Sequence, residues 1–221
     1  MALPADLPGD LLLLAVGERA AYRTRGPVAV ALAGGMLVHD VLRGAPLGVV
    51  AGDRRGLDAL LAHVAGTALP RVAAPLCGAG ALAPHQHKVL GVFARRGYAV
   101  RDPAPRWQAE RRLRAGLTPG PWHDPGVAAL AVLAAVSGVA RTVCPPPPDR
   151  VGRRGLADHL NALRWQLGPE ASEVVLAVRR AYRRQGASGD SFVPSHGDGF
   201  GDSGGAGDGG GGDGGGGGGG D

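Results

Sequence analysis

The chain has 221 residues, 24 basic and 19 acidic side chains, a formal net charge of +5, and 40 glycines. Six of the acids (Asp190, Asp198, Asp202, Asp208, Asp213 and Asp221) and none of the lysines or arginines lie beyond Gly186, so the first 185 residues alone carry +11. A body this basic calls for an anionic partner, while two cysteines, Cys77 and Cys144, exclude a disulfide scaffold and fit a reduced, cytoplasmic setting.

The segment from 186 to 221 is nearly all Gly and Asp, with almost no apolar area to offset the entropy of ordering glycine. It reads as a disordered tail whose acids screen the basic body. Residues 1–185 suffice for one domain with a single core. Leu11–Val16 is a short apolar stretch preceded by Asp6 and Asp10 instead of a basic segment, so it is not a signal peptide. The longest apolar run, Val127–Ala140, has 14 residues and is too short for a bilayer span. The expectation is a protein that is soluble or lies on a membrane from one side.

In chain order, Asp10–Val16 begins a short apolar helix or strand, and a polar turn follows at Gly17–Gly26. Pro27 suits the first turn of an apolar helix running to Leu42, which Arg43-Gly44 ends with a left-handed cap. Within it Gly34-Gly35 permits close approach of a neighbouring helix. Gly56–Ala65 repeats Leu57, Leu60, Leu61 and Val64 at helical spacing, and a Pro- and Gly-interrupted connector then leads to Leu76.

Lys88–Phe93 and Tyr98–Asp102 predict two strands around a turn at Ala94–Gly97, "ARRG". Trp107–Leu117 is a strongly basic helix. Asp124-Pro125 caps a helix over Gly126–Val143 that is apolar all round and therefore central to the core. After "CPPPPD" come two further helices, Arg153–Leu167 and Glu170–Arg184. The fold class is mainly α: six or seven helices in one globular domain with one β-hairpin.

Catalytic and metal-binding readings find little support. His39-Asp40 lacks the further His and Asp residues of a phosphohydrolase site, and His85-x-His87 with Cys77 lacks a second ligand pair at finger spacing. Ser137 and Ser172 sit in no nucleophile elbow, and no glycine-rich phosphate loop joins a strand to a helix. No enzyme activity, metal or cofactor is expected.

Five segments in order, "GGMLVHDVLRG", "GLDALLAHV", "GAGALAPHQHKVLGVFARRGYAVRDP", "DPGVAALAVLAAVSGV" and "EVVLAVRRAY", resemble the Golgi phosphoprotein 3 family from about Leu11 to Arg184. The resemblance implies a helical domain with a protruding β-hairpin, acting as a peripheral membrane protein on the cytoplasmic face. It implies phosphatidylinositol 4-phosphate as ligand and cytoplasmic tails of membrane proteins as further partners. Three family positions differ: a tryptophan is absent near Thr24, Ala33 stands for an arginine, and a two-arginine helix is replaced by Gly66–Leu76. The lipid contact is therefore expected on the hairpin, through Arg95, Arg96, Phe93 and Tyr98, with Arg23, Arg25 and Arg101 nearby. The rival reading is a winged-helix nucleic-acid-binding protein whose wing is this same hairpin.

Overall fold

The computed structural model describes residues 6–16, 25–50, 52–89, 93–120 and 124–185, with backbone alone at 25–26, 86–89, 93–96 and 142. The expected tail and Arg23 lie outside the described residues. Those described form eight helices and one antiparallel hairpin, in the order α1 (Leu7–Ala15), α2 (Arg25–Leu42), α3 (Arg54–Gly78), β1 (Leu82–Val89), β2 (Phe93–Val100), α4 (Pro103–Leu117), α5 (Pro125–Val136), the single turn α6 (Ala140–Val143), α7 (Arg150–Gln166) and α8 (Pro169–Arg184).

The core is built around α5. Asp124 caps it by accepting from the amides of Gly126 and Val127, and every residue from Ala128 to Val136 is buried. Around it pack α1, α2, α4, α6, α7 and α8. The expected helix over Gly126–Val143 is shorter than read, because Gly138 at φ +74° breaks it after Val136 and α6 resumes as one turn.

The paired glycines of α2 explain how so many helices meet. A Cβ at Gly34 would collide with Val178 of α8, and one at Gly35 would lie 2.8 Å from the Leu11 side chain of α1. Small side chains here allow backbones to close in from both sides. The helix ends at Gly44, φ +81°, where Ala45 donates to Asp40 and Gly44 to Val41, both at 2.9 Å. This pair of bonds satisfies the last carbonyls of the helix.

The largest correction concerns α3. The expected connector at Gly66–Leu76 is helical, so α3 runs 25 residues in one piece, with Pro70 and Pro75 inside it. Each ring removes a bond to the carbonyl four residues earlier, at Gly66 and Arg71, and both of these residues are exposed, so water can serve them. The helix packs on α1, α2, α8 and β1. Its Asp58 accepts from Arg180 at 2.8 Å and from Arg184 at 2.9 Å, binding it to α8. By length and composition α3 could cross a membrane, and only 28% of its most apolar window is buried within the fold.

Candidate functional site

The hairpin grows out of the end of α3. Gly80, φ +74°, turns the chain while Ala81 donates to Leu76 and Gly80 to Cys77. Ala81 and Leu82 are then buried, and the Ala81 carbonyl accepts from the amides of Arg101 and Asp102, just past the returning strand. The register runs from Leu82 opposite Val100 to Val89 opposite Phe93, eight pairs without a break. The hairpin is therefore rooted at its base and held beyond that by its own ladder.

This register corrects the expected turn. Residues 94–97 are strand, and the pairing closes at Val89 opposite Phe93. Arg95 lies opposite His87, Arg96 opposite Gln86, and Gly97 opposite His85. The two arginines thus stand two and three positions back from the closing pair. The polar, glycine-ended "ARRG" resembled a turn, but burial of Leu82 and pairing with Val100 fix the register from the base.

Of the other expected contacts, Tyr98 is half-buried and packs against the core opposite Pro84. Arg101 is exposed where β2 meets α4, and Arg25 is the first residue of α2. Ala33 is fully buried, so a guanidinium has no room there without moving α2. Residues Gly66–Leu76, read as standing in place of a two-arginine helix, are themselves helical as the second half of α3 and carry one exposed arginine, Arg71.

The basic helix α4 continues this surface. Asp102 caps it by accepting from the Ala104 amide at 2.9 Å. Its inward face is Arg106, Ala109, Leu113 and Gly116. Gly116 is required by close packing: a Cβ there would lie 2.9 Å from the Val127 carbonyl oxygen of α5. Buried Arg106 has its Nε 3.2 Å from Glu110. His159 of α7 places its ring Nε2 3.0 Å from the Gly116 carbonyl oxygen.

Arg112 reaches back to Asp10 of α1, donating from Nε at 2.7 Å and from Nη2 to the second carboxylate oxygen. Burial pushes the Asp10 carboxyl above its ordinary value of 3.8, outweighing the hydrogen bond and charge of Arg112. Asp58 shows the opposite balance. Partial burial raises its carboxyl, but hydrogen bonds from Arg180 and Arg184 outweigh this and hold it below 3.8. Sequence reading missed the Asp10–Arg112 pair, since the partners are 102 positions apart and only an acid within an apolar helix hinted at it.

On the solvent side of α4, Trp107, Arg111 and Arg114 recur at helical spacing and are all exposed, Trp107 at 58%. Beside them an open groove is lined by Gln108, Arg111, Arg112, Ala115 and Val127. A second exposed tryptophan, Trp165 of α7, has the Arg164 guanidinium 4.9 Å above its ring. Among the described residues no three His, Cys, Asp or Glu side chains cluster to hold a metal ion, and both thiols are half-buried. The arrangement can offer guanidinium and indole groups to an anionic surface.

No curated protein matches the chain. A family model does, over residues 38–181, from the end of α2 through the hairpin and core helix to the last turns of α8. With the helical body, the rooted hairpin and this match over more than half its length, the chain belongs to the Golgi phosphoprotein 3 (GPP34) family.

Proposed function

We propose that this protein is a non-catalytic peripheral membrane protein that contacts anionic lipid head groups through its β1–β2 hairpin, on the cytoplasmic face of a membrane. The observation that carries the reading is the hairpin itself. Its eight-residue strands pair only with each other among the described residues, and Ala81, Leu82, Tyr98 and Val100 at the base pack on the core. At about 3.3 Å per residue it reaches roughly 23 Å. A lone hairpin contributes little to stability in water, so its length is better explained by contact than by folding.

Its composition supports the same partner. From Leu82 to Val100 there are three permanent cations, Lys88, Arg95 and Arg96, and no acid. Each basic residue near an anionic leaflet contributes about 1 kcal/mol of attraction. The closing end, Val89-Leu90-Gly91-Val92-Phe93, is apolar. Apolar residues entering the interface ahead of a cationic band supply the two forces that reversible membrane attachment uses. Family membership supports phosphatidylinositol 4-phosphate as the head group to test first and membrane-protein tails as further partners. Because Thr24 and Ala33 stand where the family tryptophan and arginine would, the ligand is assigned as anionic head groups in general.

Nucleic acid is the weaker reading. A winged helix needs a helix–turn–helix with a turn of about three to four residues ahead of its wing, whereas α2 and α3 are joined by the longer stretch 43–53. Co-sedimentation with phosphatidylcholine vesicles, with and without phosphatidylserine or phosphatidylinositol 4-phosphate, tests the proposal. Binding is expected only with the anionic vesicles and falls on Arg95→Ala/Arg96→Ala. Equal pelleting with neutral vesicles, or retardation of duplex DNA at physiological salt without vesicle binding, overturns it.

A further inference from the structure

We infer that the solvent face of α4 is a second lipid-contacting surface, with Trp107 settling at head-group level and Arg111 and Arg114 binding lipid phosphates. The inference rests on the proposed membrane association but not on the hairpin as its agent.

The starting point is an exposed indole that the fold does not use. Trp107 is 58% exposed on a helix whose inward side is completed by Arg106, Ala109, Leu113 and Gly116. Trp165, at 56%, already has Arg164 stacked on its ring. Trp107 has no such cation over it among the described residues. Instead Arg111 and Arg114 follow it at i+4 and i+7, on the same side of the helix.

The charges on this face are unevenly spent. Arg112 is bound to Asp10, and Glu110 lies against Arg106, with the Arg114 guanidinium 3.9 Å away and its side chain 62% exposed. Arg111 has no ion-pair partner among the described residues, and it lines the open groove with Gln108, Ala115 and Val127. A planar guanidinium beside an amide in such a groove can hold a phosphate in two places. An amphipathic aromatic ring flanked by arginines is suited to the boundary between head groups and acyl chains.

Continuity with the hairpin favours a lipid surface over a protein or nucleic acid. Only Arg101, exposed, and Asp102, the helix cap, separate β2 from α4. Trp107 is one turn into the helix, roughly 6 Å along its axis from Pro103. This face adjoins the base of the hairpin, so one membrane meets both when the hairpin lies along its surface.

Tryptophan fluorescence tests the inference in the full chain carrying Trp122→Phe and Trp165→Phe, so that Trp107 alone reports. Phosphatidylcholine vesicles containing phosphatidylserine should shift its emission to the blue, and phosphatidylcholine alone should not. In the otherwise native chain, Arg111→Ala/Arg114→Ala should weaken pelleting with the anionic vesicles about thirtyfold. Should the single-tryptophan chain fail to fold, this pelleting measurement decides alone.

Anionic-vesicle binding with unchanged Trp107 emission, or with unchanged pelleting of the arginine variant, overturns the inference and leaves the hairpin proposal standing. If Arg95→Ala/Arg96→Ala pellets like the parent while Trp107 still shifts, the hairpin proposal fails and the α4 surface stands. Absence of vesicle binding, or a Trp107 response to duplex DNA alone, defeats both.

Discussion

Helix α5 and the β1–β2 hairpin occupy opposite ends of what a chain can do with its residues. In α5, nine successive side chains from Ala128 to Val136 are buried and six other helices pack around them. The hairpin meets the core at Leu82, Tyr98 and Val100, and its strands pair only with each other among the described residues. The first region fixes the shape of the domain. The second adds little to that shape and carries a basic sequence without acids. If the proposed function holds, stability and lipid contact can be separated by mutation.

The sharpest way to break the comparison is to damage the core. Leu133 is fully buried in α5. Leu133→Ala should cost about 2–5 kcal/mol in urea unfolding, because the methyl groups leave a cavity that neighbouring helices cannot fill. Next is Asp10→Ala, which strands Arg112 beneath α1. Arg112 keeps part of its side chain in water, so losing this partner should cost about 1–3 kcal/mol, measured the same way. Gly34→Ala should cost roughly 1–3 kcal/mol, since the added carbon meets Val178.

Below these stands the Asp58 lock. It is more open, with Arg184 58% exposed, so Asp58→Asn should cost less than about 1 kcal/mol at neutral pH. Its sign with pH differs from that of Asp10. The Asp58 carboxyl is held below 3.8 in the fold, so the unfolded chain takes up its proton first. The stability it contributes is present above 3.8 and is lost as pH falls through the lower folded value. Asp10 is raised in the fold, so its contribution is full below 3.8 and is lost as pH rises through the folded value. Comparing urea midpoints of Asp58→Asn and Asp10→Asn across acid pH should give differences of opposite slope. Parallel curves would contradict the assigned shifts.

The smallest stability effect is expected at the hairpin: Arg95→Ala/Arg96→Ala should leave unfolding within about 0.5 kcal/mol of the parent. Removing residues 186–221, with their six aspartates, should raise affinity for anionic vesicles at low salt. Unchanged affinity contradicts a screening role for that segment.

The fold was legible where one signal dominated. Asp124-Pro125 before an unbroken apolar run could only open a core helix, and Gly44 ended α2 as its position suggested. The paired glycines pointed to close approach, and they receive Val178 and Leu11. Reading failed where a local signal was overruled by distant contacts. Pro70 and Pro75 looked like breakers, yet α3 continues through them, packed on α2 and α8 and tied by the Asp58 pairs, with the residues whose carbonyls are freed exposed to solvent. "ARRG" looked like a turn, but burial of Leu82 and its pairing with Val100 place residues 94–97 in the second strand. The basic character of α4 was plain. Which of its arginines serve the fold and which face solvent depended on Asp10, 102 positions away.

One measurement tests the division of labour most directly: vesicle pelleting and urea unfolding, performed together on Arg95→Ala/Arg96→Ala and on the parent. The account predicts superimposable unfolding curves, with pelleting by anionic vesicles lost or sharply weakened in the variant. Unweakened pelleting, or a loss of stability that accounts for the weaker binding, contradicts it.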